Sequence, residues 1–329
     1  MKTIEDRIFT VSSREQFDEL ALEIFRFQAS SNEVYRTYLD ILGIRSESIT
    51  SVDQIPFLPI EFFRSKQVVS GEGPFGQVFE SSGTTGQQTS RHYVQHTSIY
   101  IESFTRTFTR FYGNPENLCI LALLPSYLDR ENSSLVYMMD HLIKMSGHPD
   151  SNFYLDDLGK LSGILKKRND DKHPTILLGV SFALLDLAAE YPLNLGENIT
   201  VMETGGMKGR RKELIRSELH EELKQAFGLV QVHSEYGMTE LLSQAYTRGD
   251  GHFEPAHWMQ VRTRDLYDPL SMLPENSSGG INIIDLANIY SCSFIATGDQ
   301  GKVYDDGSFE ISGRIDHSEI RGCNLMVGG

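Results

Sequence analysis

The chain has 329 residues, of which 40% are hydrophobic, and carries a formal net charge of −15 at neutral pH. This length can bury a large core, and the acidic balance disfavours nucleic-acid and anionic-membrane partners because phosphate surfaces repel it. The three cysteines, at 119, 292 and 323, form no metal-type pair, and the longest apolar run, 118–124, is far shorter than the ~20 residues of a membrane span. With no signal-peptide pattern at the N-terminus, we expect a cytoplasmic protein without a membrane span.

Helical patterns fill the first part of the chain. The segment Ser12-Ser13-Arg14-Glu15 has the spacing of a capping box, and apolar residues then recur at helical intervals from Phe17 to Phe25. Proline and glycine residues between 56 and 76 end this pattern, and a short strand is predicted at Gln77–Glu80. We therefore assign residues 1–75 to a helical N-terminal region.

Short apolar runs alternate with helical patterns from residue 117 to 240. The predicted strands are 118–124, 175–179 and 199–203, and the predicted helices are 134–145, 182–190 and 211–227. Such alternation is typical of parallel βαβ units covered by helices on both faces. Beyond Glu240, short strands separated by proline and glycine turns indicate a smaller β-rich subdomain. The predicted division is 76–240 for the α/β core and 241–329 for the β-rich part.

The first motif is a segment of glycines and hydroxyl side chains, Ser81-Ser82-Gly83-Thr84-Thr85-Gly86. Glycines let backbone N–H groups approach a phosphate closely, and the hydroxyls add donors without adding charge. The spacing and the lysine of a Walker A loop are absent. Taken alone, the segment fits a phosphate cradle or an ordinary loop.

The second motif is His233-Ser234-Glu235-Tyr236-Gly237-Met238-Thr239-Glu240. A tyrosine ring at the end of a strand can stack on a base, and a carboxylate four residues later can hold Mg²⁺ among phosphate oxygens. Taken alone, the motif fits equally well a strand-end turn with an incidental carboxylate.

The third motif comprises Thr297-Gly298-Asp299-Gln300-Gly301, then Gly313-Arg314-Ile315-Asp316, then Arg321-Gly322-Cys323. An aspartate on a tight turn can accept hydrogen bonds from both ribose hydroxyls. An arginine can pair with a ribose or phosphate oxygen. The motif therefore suits the sugar and phosphate side of a nucleotide.

Together, in this order, the three motifs resemble the adenylate-forming superfamily of acyl-CoA synthetases, luciferases and peptide-synthetase adenylation domains. The resemblance spans about 79–323. It implies an α/β fold, a layered α/β sandwich of the adenylate-forming N-terminal domain type with a small C-terminal β-rich subdomain. It also implies ATP and Mg²⁺ as cofactors, with the nucleotide and an acyl group bound in the 76–240 core.

Residue roles follow from the same resemblance. It implies that Tyr236 stacks on adenine, Asp299 holds the ribose, Glu240 binds Mg²⁺ and Arg321 contacts the nucleotide. Gly205 and Gly206 fit the adenine and acyl pocket, although a glycine pair is also an ordinary turn after a strand. The implied nucleotide-binding set is Ser81, Ser82, Gly83, Thr84, Thr85, Gly86, Gly205, Gly206, Tyr236, Gly237, Thr239, Asp299 and Arg314.

Two departures from the family pattern concern its lysines. Gln87-Gln88-Thr89 stands where the family commonly has a lysine after the phosphate loop, which leaves Arg91 as the nearest cation. The sequence also stops shortly after the hinge motif. The family's C-terminal lid domain and its catalytic lysine are therefore expected to have no counterpart here.

Within the superfamily, the chain most resembles the acyl-protein synthetase branch typified by LuxE. The segments that carry this likeness are 124–128, 133–138 and 320–325. The branch implies a fatty acid substrate, acyl-AMP formation, and transfer of the acyl group to a cysteine near the C-terminus and then to a partner reductase or carrier protein. The catalytic residues expected here are Cys323, Glu240 and Arg321.

The sequence is also compatible with two other functions, and it contains candidate residues for an acyl pocket. The chain also fits a relative of phenylacetate-type acyl-CoA ligases, and a non-catalytic subunit that binds a nucleotide or an acyl group. Met138 and Met139, with Tyr127, Tyr137 and Phe182, suit a flexible acyl pocket, or they belong to the core.

Overall fold

The computed structural model describes residues 3–81, 89–125, 132–205 and 214–315. The helices in these ranges are α1 (Ile4–Ile8), α2 (Arg14–Ser31), α3 (Glu33–Ile41), α4 (Phe62–Ser65), α5 (Thr97–Tyr112), α6 (Ser134–Ser146), α7 (Leu158–Asp170), α8 (Ser181–Glu190) and α9 (Arg216–Phe227). The strands are β1 (Leu58–Pro59), β2 (Gln77–Glu80), β3 (Arg91–Val94), β4 (Cys119–Leu123), β5 (Asn152–Phe153), β6 (Thr175–Val180), β7 (Ile199–Thr204), β8 (His233–Tyr236), β9 (Ala245–Thr247), β10 (Glu254–Pro255), β11 (Met259–Arg264), β12 (Ser278–Asp285), β13 (Phe294–Val303) and β14 (Phe309–Arg314).

The larger sheet has the strand order β10-β9-β8-β7-β6-β4-β5. Strands β4 to β8 run parallel, and β9 and β10 extend the sheet in antiparallel pairing. Every residue of β4 and β6 is buried, as expected of parallel strands covered on both faces. The predicted alternation of strands and helices into parallel βαβ units is confirmed.

Two local predictions need correction. The helix α2 is capped by Ser13, which accepts from the backbone of Gln16, so the cap lies one residue later than the Ser12–Glu15 spacing indicates. The helix α9 begins at Arg216 and not near 211, and Ile215 before it is 65% exposed.

A second sheet has the order β1-β13-β12-β11, with β14 also paired to β13. The register of β13 and β14 shifts between Gln300 and Gly301, where a Cβ would lie 1.9 Å from the carbonyl oxygen of Glu310. Only glycine allows this approach of two backbones. The resulting register sets Asp299 directly opposite Arg314.

The N-terminal helices are tied to this second sheet by buried polar contacts. The Gln28 side-chain amide donates to the carbonyls of Asn288 and Ile289 at 3.0 and 2.9 Å, and its oxygen accepts from the Ser293 amide. The predicted three-region division stays a prediction. Among the described residues, none of the helices is long and apolar enough to cross a membrane.

Candidate nucleotide and acyl site

A cleft of about 820 Å³ lies where β7 and β8 end and β13 and β14 approach them. It is lined by every residue of the predicted nucleotide-binding set that falls in the described ranges, and by Glu240. These residues are Ser81, Gly205, Tyr236, Gly237, Thr239, Glu240, Asp299 and Arg314. The remaining predicted residues, Ser82, Gly83, Thr84, Thr85, Gly86, Gly206, Arg321 and Cys323, lie outside the described residues.

The predicted base and ribose groups are bonded to each other. The Tyr236 hydroxyl donates to Asp299 Oδ2 at 2.8 Å, and Arg314 Nε lies 3.2 Å from Asp299 Oδ1. Burial and the nearby Asp299 carboxylate raise the pKa of Tyr236, so its hydroxyl stays protonated as a donor. The Tyr236 ring packs edge-on against Phe309 with centroids 5.3 Å apart. This contact joins the end of β8 to the second sheet.

The backbone around Glu240 is held by buried side chains of the second sheet and β3. The Glu240 carbonyl accepts from Asn288 Nδ2 at 2.8 Å, and the Thr239 carbonyl lies 2.9 Å from His92 Nδ1. Burial lowers the pKa of His92 to about 4, so the ring is neutral and donates to that carbonyl. The Leu242 amide donates to Asp285 Oδ2 at 2.9 Å. The position of Glu240 is therefore fixed from both sides.

The Glu240 side chain fits a magnesium ion shared with a nucleotide. The residue is 6% exposed, and burial raises the pKa of its carboxyl above the usual value. Within the described ranges, no three or more His, Cys, Asp and Glu residues form a metal-type cluster. Mg²⁺ commonly takes one or two carboxylates and completes its shell with phosphates and water. Glu240, with no cluster of further metal-type ligands around it in the described ranges, suits that arrangement better than an all-protein metal site.

Two buried carboxyls of the cleft were not predicted. Glu203 accepts from Arg216 Nε at 3.1 Å; burial raises its pKa, but His220 and Arg216 outweigh burial and hold it below the ordinary value. Glu235 accepts from the Thr204 hydroxyl at 2.6 Å, and burial raises its pKa to about 7. The sequence feature that could have indicated both Glu203 and Glu235 as cleft residues is an acidic residue within a strand of the sheet.

The cations of the cleft also differ from expectation. Arg91 pairs with Glu80 (Nε to Oε1, 3.2 Å) and does not line the cleft. Arg64, an exposed residue of α4, does line it and lowers the pKa of Glu240 electrostatically. No motif in the sequence pointed to Arg64.

Of the predicted acyl-pocket residues, Met138 lines the cleft, together with Leu135 and Tyr100. Met139 is buried and does not line the cleft. Tyr137 and Phe182 are also absent from the cleft lining, and Tyr127 lies outside the described residues. Of the four predicted acyl-pocket residues that the structure describes, Met138 alone lines the cleft.

Comparison with known families decides the assignment. The sequence profile of the family described as "Acyl-protein synthetase, LuxE" matches residues 5–328. The chain belongs to the LuxE family. No curated protein sequence matches this LuxE-family chain.

Solved structures share the fold of this LuxE-family protein. ATP-bound MatB from Rhodopseudomonas palustris matches with a TM-score of 0.54 and 20% identity, over 74% of this chain and 49% of that one. An ATP-bound RpMatB-BxBclM chimera gives 0.55 and 21%, over 75% and 49%. An open conformation of 2-hydroxyisobutyryl-CoA ligase gives 0.67 and 14%, over 98% and 83%. The chain spans about half the length of the MatB-type chains, and the predicted layered α/β fold is confirmed.

Proposed function

We propose that this protein converts a carboxylic acid and ATP into an acyl-adenylate and then transfers the acyl group to a protein thiol. The observation that carries the proposal is the single cleft lined by residues of three motifs that lie far apart in the sequence. Membership of the acyl-protein synthetase family supports the same reaction.

In the first step, a carboxylate oxygen of the acid attacks the α-phosphorus of ATP. A new P–O bond forms, the bond from the α-phosphorus to the β-phosphate oxygen breaks, and pyrophosphate leaves. Tyr236 offers a ring for the adenine, Asp299 accepts from the ribose, and Arg64 is placed to pair with phosphate oxygens. Glu240 would hold Mg²⁺, which offsets the negative charge that develops on the phosphates.

The acid itself fits the side of the cleft formed by α5 and α6. Tyr100, Leu135 and Met138 line it there and offer mainly apolar surface. Methionine side chains adapt well to flexible acyl chains. This surface supports the fatty acid expected of the branch.

In the second step, a thiolate attacks the acyl carbonyl carbon, a thioester forms and AMP leaves. Cys119 and Cys292 are fully buried, and burial raises their pKa to about 11 and about 12. Neither thiol is therefore available as a nucleophile at neutral pH. We assign the acceptor role to Cys323, with Arg321 stabilising its thiolate. A partner reductase or carrier protein then receives the acyl group.

The test is intact-mass analysis after incubation with ATP, Mg²⁺ and labelled acids. We expect wild type to gain one acyl mass that hydroxylamine removes. Cys323→Ser should keep acid-dependent ATP–pyrophosphate exchange but gain no hydroxylamine-labile label. Cys292→Ala is the matched control, and it should label as wild type does.

Three results would redirect the proposal. Full labelling of Cys323→Ser would move the acceptor elsewhere in the chain. Acyl transfer to free CoA without labelled protein would favour the phenylacetate-type ligase. Absence of exchange with every acid tested, with ATP still bound, would favour the non-catalytic subunit.

A further inference from the structure

At one end of the cleft, polar side chains of neighbouring strands lie on the same face of the larger sheet. Glu235 of β8 is in register with Thr204 on one side and with Tyr246 on the other. Gln244 directly precedes β9, and a Cβ placed on Gly237 would lie 3.6 Å from Gln244 Cγ and 2.4 Å from Glu235 Oε1, so both side chains lie beside the same backbone. Thr204, Glu235 and Gln244 all line the cleft. This face therefore places a hydroxyl, a carboxyl and an amide together at the cleft.

Two acceptor oxygens on this face have no donor among the described residues, and the Tyr246 hydroxyl, which is buried without a partner, does not line the cleft. Glu235 Oε2 accepts from Thr204 at 2.6 Å, whereas Oε1 has no hydrogen-bond partner in the part of the chain that the structure describes. A Cβ placed on Gly237 would lie 2.4 Å from Glu235 Oε1, so this oxygen faces backbone that lines the cleft. Gln244 is 3% exposed, and its Oε1 also lacks a partner.

Unpaired buried acceptors are costly, and native proteins pair nearly all of them. The nearby Tyr100 hydroxyl does not serve these oxygens, because it donates to the Ser134 carbonyl at 3.0 Å. Tyr137 of α6 stacks on Tyr100 with ring centroids 5.9 Å apart, but it does not line the cleft. The α6 side chains that do line it, Met138 and Leu135, donate no hydrogen bond. Since none of the described residues donates to these oxygens, the donor that we consider is one carried by a ligand in the cleft.

The chemistry of this face favours a hydroxyl donor. Burial raises the pKa of Glu235 to about 7, so both its protonated and ionised forms are populated at neutral pH. A hydroxyl both donates and accepts, so it pairs with either form of Glu235 and can donate to Gln244. An ammonium group only donates, and it needs the ionised form to offset its own burial.

We infer that the acid activated here carries a hydroxyl group on its acyl chain, bound by Glu235 and Gln244. The inference rests on the proposed function and narrows its substrate from fatty acids in general to hydroxylated carboxylic acids. Glu235 and Gln244 are then specificity-determining residues on the acyl side of the cleft.

The experiment measures acid-dependent ATP–pyrophosphate exchange with matched sets of acids. Each set holds one chain length and contains the unsubstituted acid, its hydroxy derivatives and its amino derivatives. For at least one hydroxy acid we expect kcat/KM to exceed that of the unsubstituted acid by about tenfold or more, since a site built to bind a hydroxyl rejects an analogue that lacks it.

Two variants assign the preference to this face. Glu235→Leu replaces the carboxyl with an apolar group of similar size and should reduce the hydroxy-to-unsubstituted ratio to about one. Glu235→Gln keeps hydrogen-bonding groups and should retain part of the ratio. The matched control is Asp150→Asn, a carboxyl that pairs with Lys167 and Arg168 away from the cleft and should leave the ratio unchanged. Ratios within one variant cancel any loss of folded protein.

The outcomes separate the inference from the reaction on which it rests. Equal kcat/KM for the hydroxy and unsubstituted acids would overturn the inference, and so would a preference for the amino derivatives. Neither result would contradict acyl-adenylate formation. A hydroxy preference that survives Glu235→Leu would also overturn the inference. If none of the acids supports exchange while ATP still binds, both the proposed function and the inference are contradicted.

Discussion

The strands β6 and β8 lie in the parallel part of the same sheet, with β7 between them, yet their compositions are opposite. All six residues of β6 are buried and five of them are apolar or glycine, whereas β8 is His-Ser-Glu-Tyr with three of its residues buried. The side chain of Leu184 on α8 packs directly on Gly179 of β6. The strand β8 instead ends at the cleft.

Each polar side chain of β8 is matched by a partner. Ser234 Oγ lies 3.2 Å from His220 Nε2, and His233 Nδ1 lies 3.2 Å from the Tyr112 hydroxyl. Glu235 bonds Thr204, and Tyr236 bonds Asp299. A strand in the parallel part of a sheet can therefore be polar where each side chain makes at least one polar contact. The comparison separates a strand that contributes packing from a strand that contributes a site.

The largest effect is expected from a substitution in the candidate site. Glu240→Gln should reduce acid-dependent pyrophosphate exchange by about 100-fold or more, because it removes the carboxylate that holds Mg²⁺. Its thermal unfolding should resemble that of wild type. Glu254→Gln, at an exposed pair with Arg110, is the control and should exchange at the wild-type rate. Wild-type exchange by Glu240→Gln would remove this residue from the site.

The second largest effect is expected from a substitution in the packed strand β6. Leu177 of β6 is fully buried, and Leu177→Ala should lower the free energy of unfolding by about 2–5 kcal/mol through lost packing and a cavity. Urea unfolding measures the loss. The ATP affinity of the folded protein should be unchanged. A weaker ATP affinity without a stability loss would place β6 in the site and break the comparison.

A smaller effect is expected at the contact between the two sheets. Asp299→Ala should weaken ATP binding by about 1.5–3 kcal/mol, the value of hydrogen bonds to a charged group. Tyr236→Phe loses only the hydroxyl that bonds Asp299 and should cost about 1 kcal/mol. Calorimetry measures both, and an unchanged affinity in Asp299→Ala would contradict its ribose role.

The smallest effect concerns pH and Glu235. Its folded-state pKa of about 7 lies above the unfolded value of 4.5, so its stabilising contribution is complete below the unfolded pKa and is lost as pH rises through 7. Glu235→Gln does not titrate. Relative to wild type, this variant should therefore gain about 1–3 kcal/mol of stability between about pH 5 and pH 8. Urea unfolding at the two pH values checks the sign, and a constant difference would contradict the raised pKa.

Sequence patterns predicted those parts of the molecule that depend on neighbours along the chain. The strands β2, β4, β6 and β7 and the helices α6 and α8 follow from apolar runs and helical spacing, within one or two residues. The motifs identified the cleft residues Tyr236, Glu240 and Asp299 because glycine turns and functional groups recur at short spacing. Their roles stay predictions.

The rest depended on contacts between distant residues. Arg64 belongs to no motif, and nothing near it in sequence shows that it reaches Glu240. The bond from His92 to Thr239 joins residues 147 positions apart. Glu235 stood inside a motif, but only the strand register shows that it faces Thr204 and Tyr246.

The buried contacts of α2 have a consequence for how the chain folds during synthesis. Gln28 bonds Asn288 and Ile289, which lie 260 and 261 residues later, and Asn32 bonds the Ser291 carbonyl. A ribosome adds about 5–20 residues per second. The first helices therefore emerge many seconds before their partners exist, and their buried amides meet only water meanwhile. Docking of α2 is a late event in biogenesis, which leaves its apolar face as a natural target for chaperones on the nascent chain.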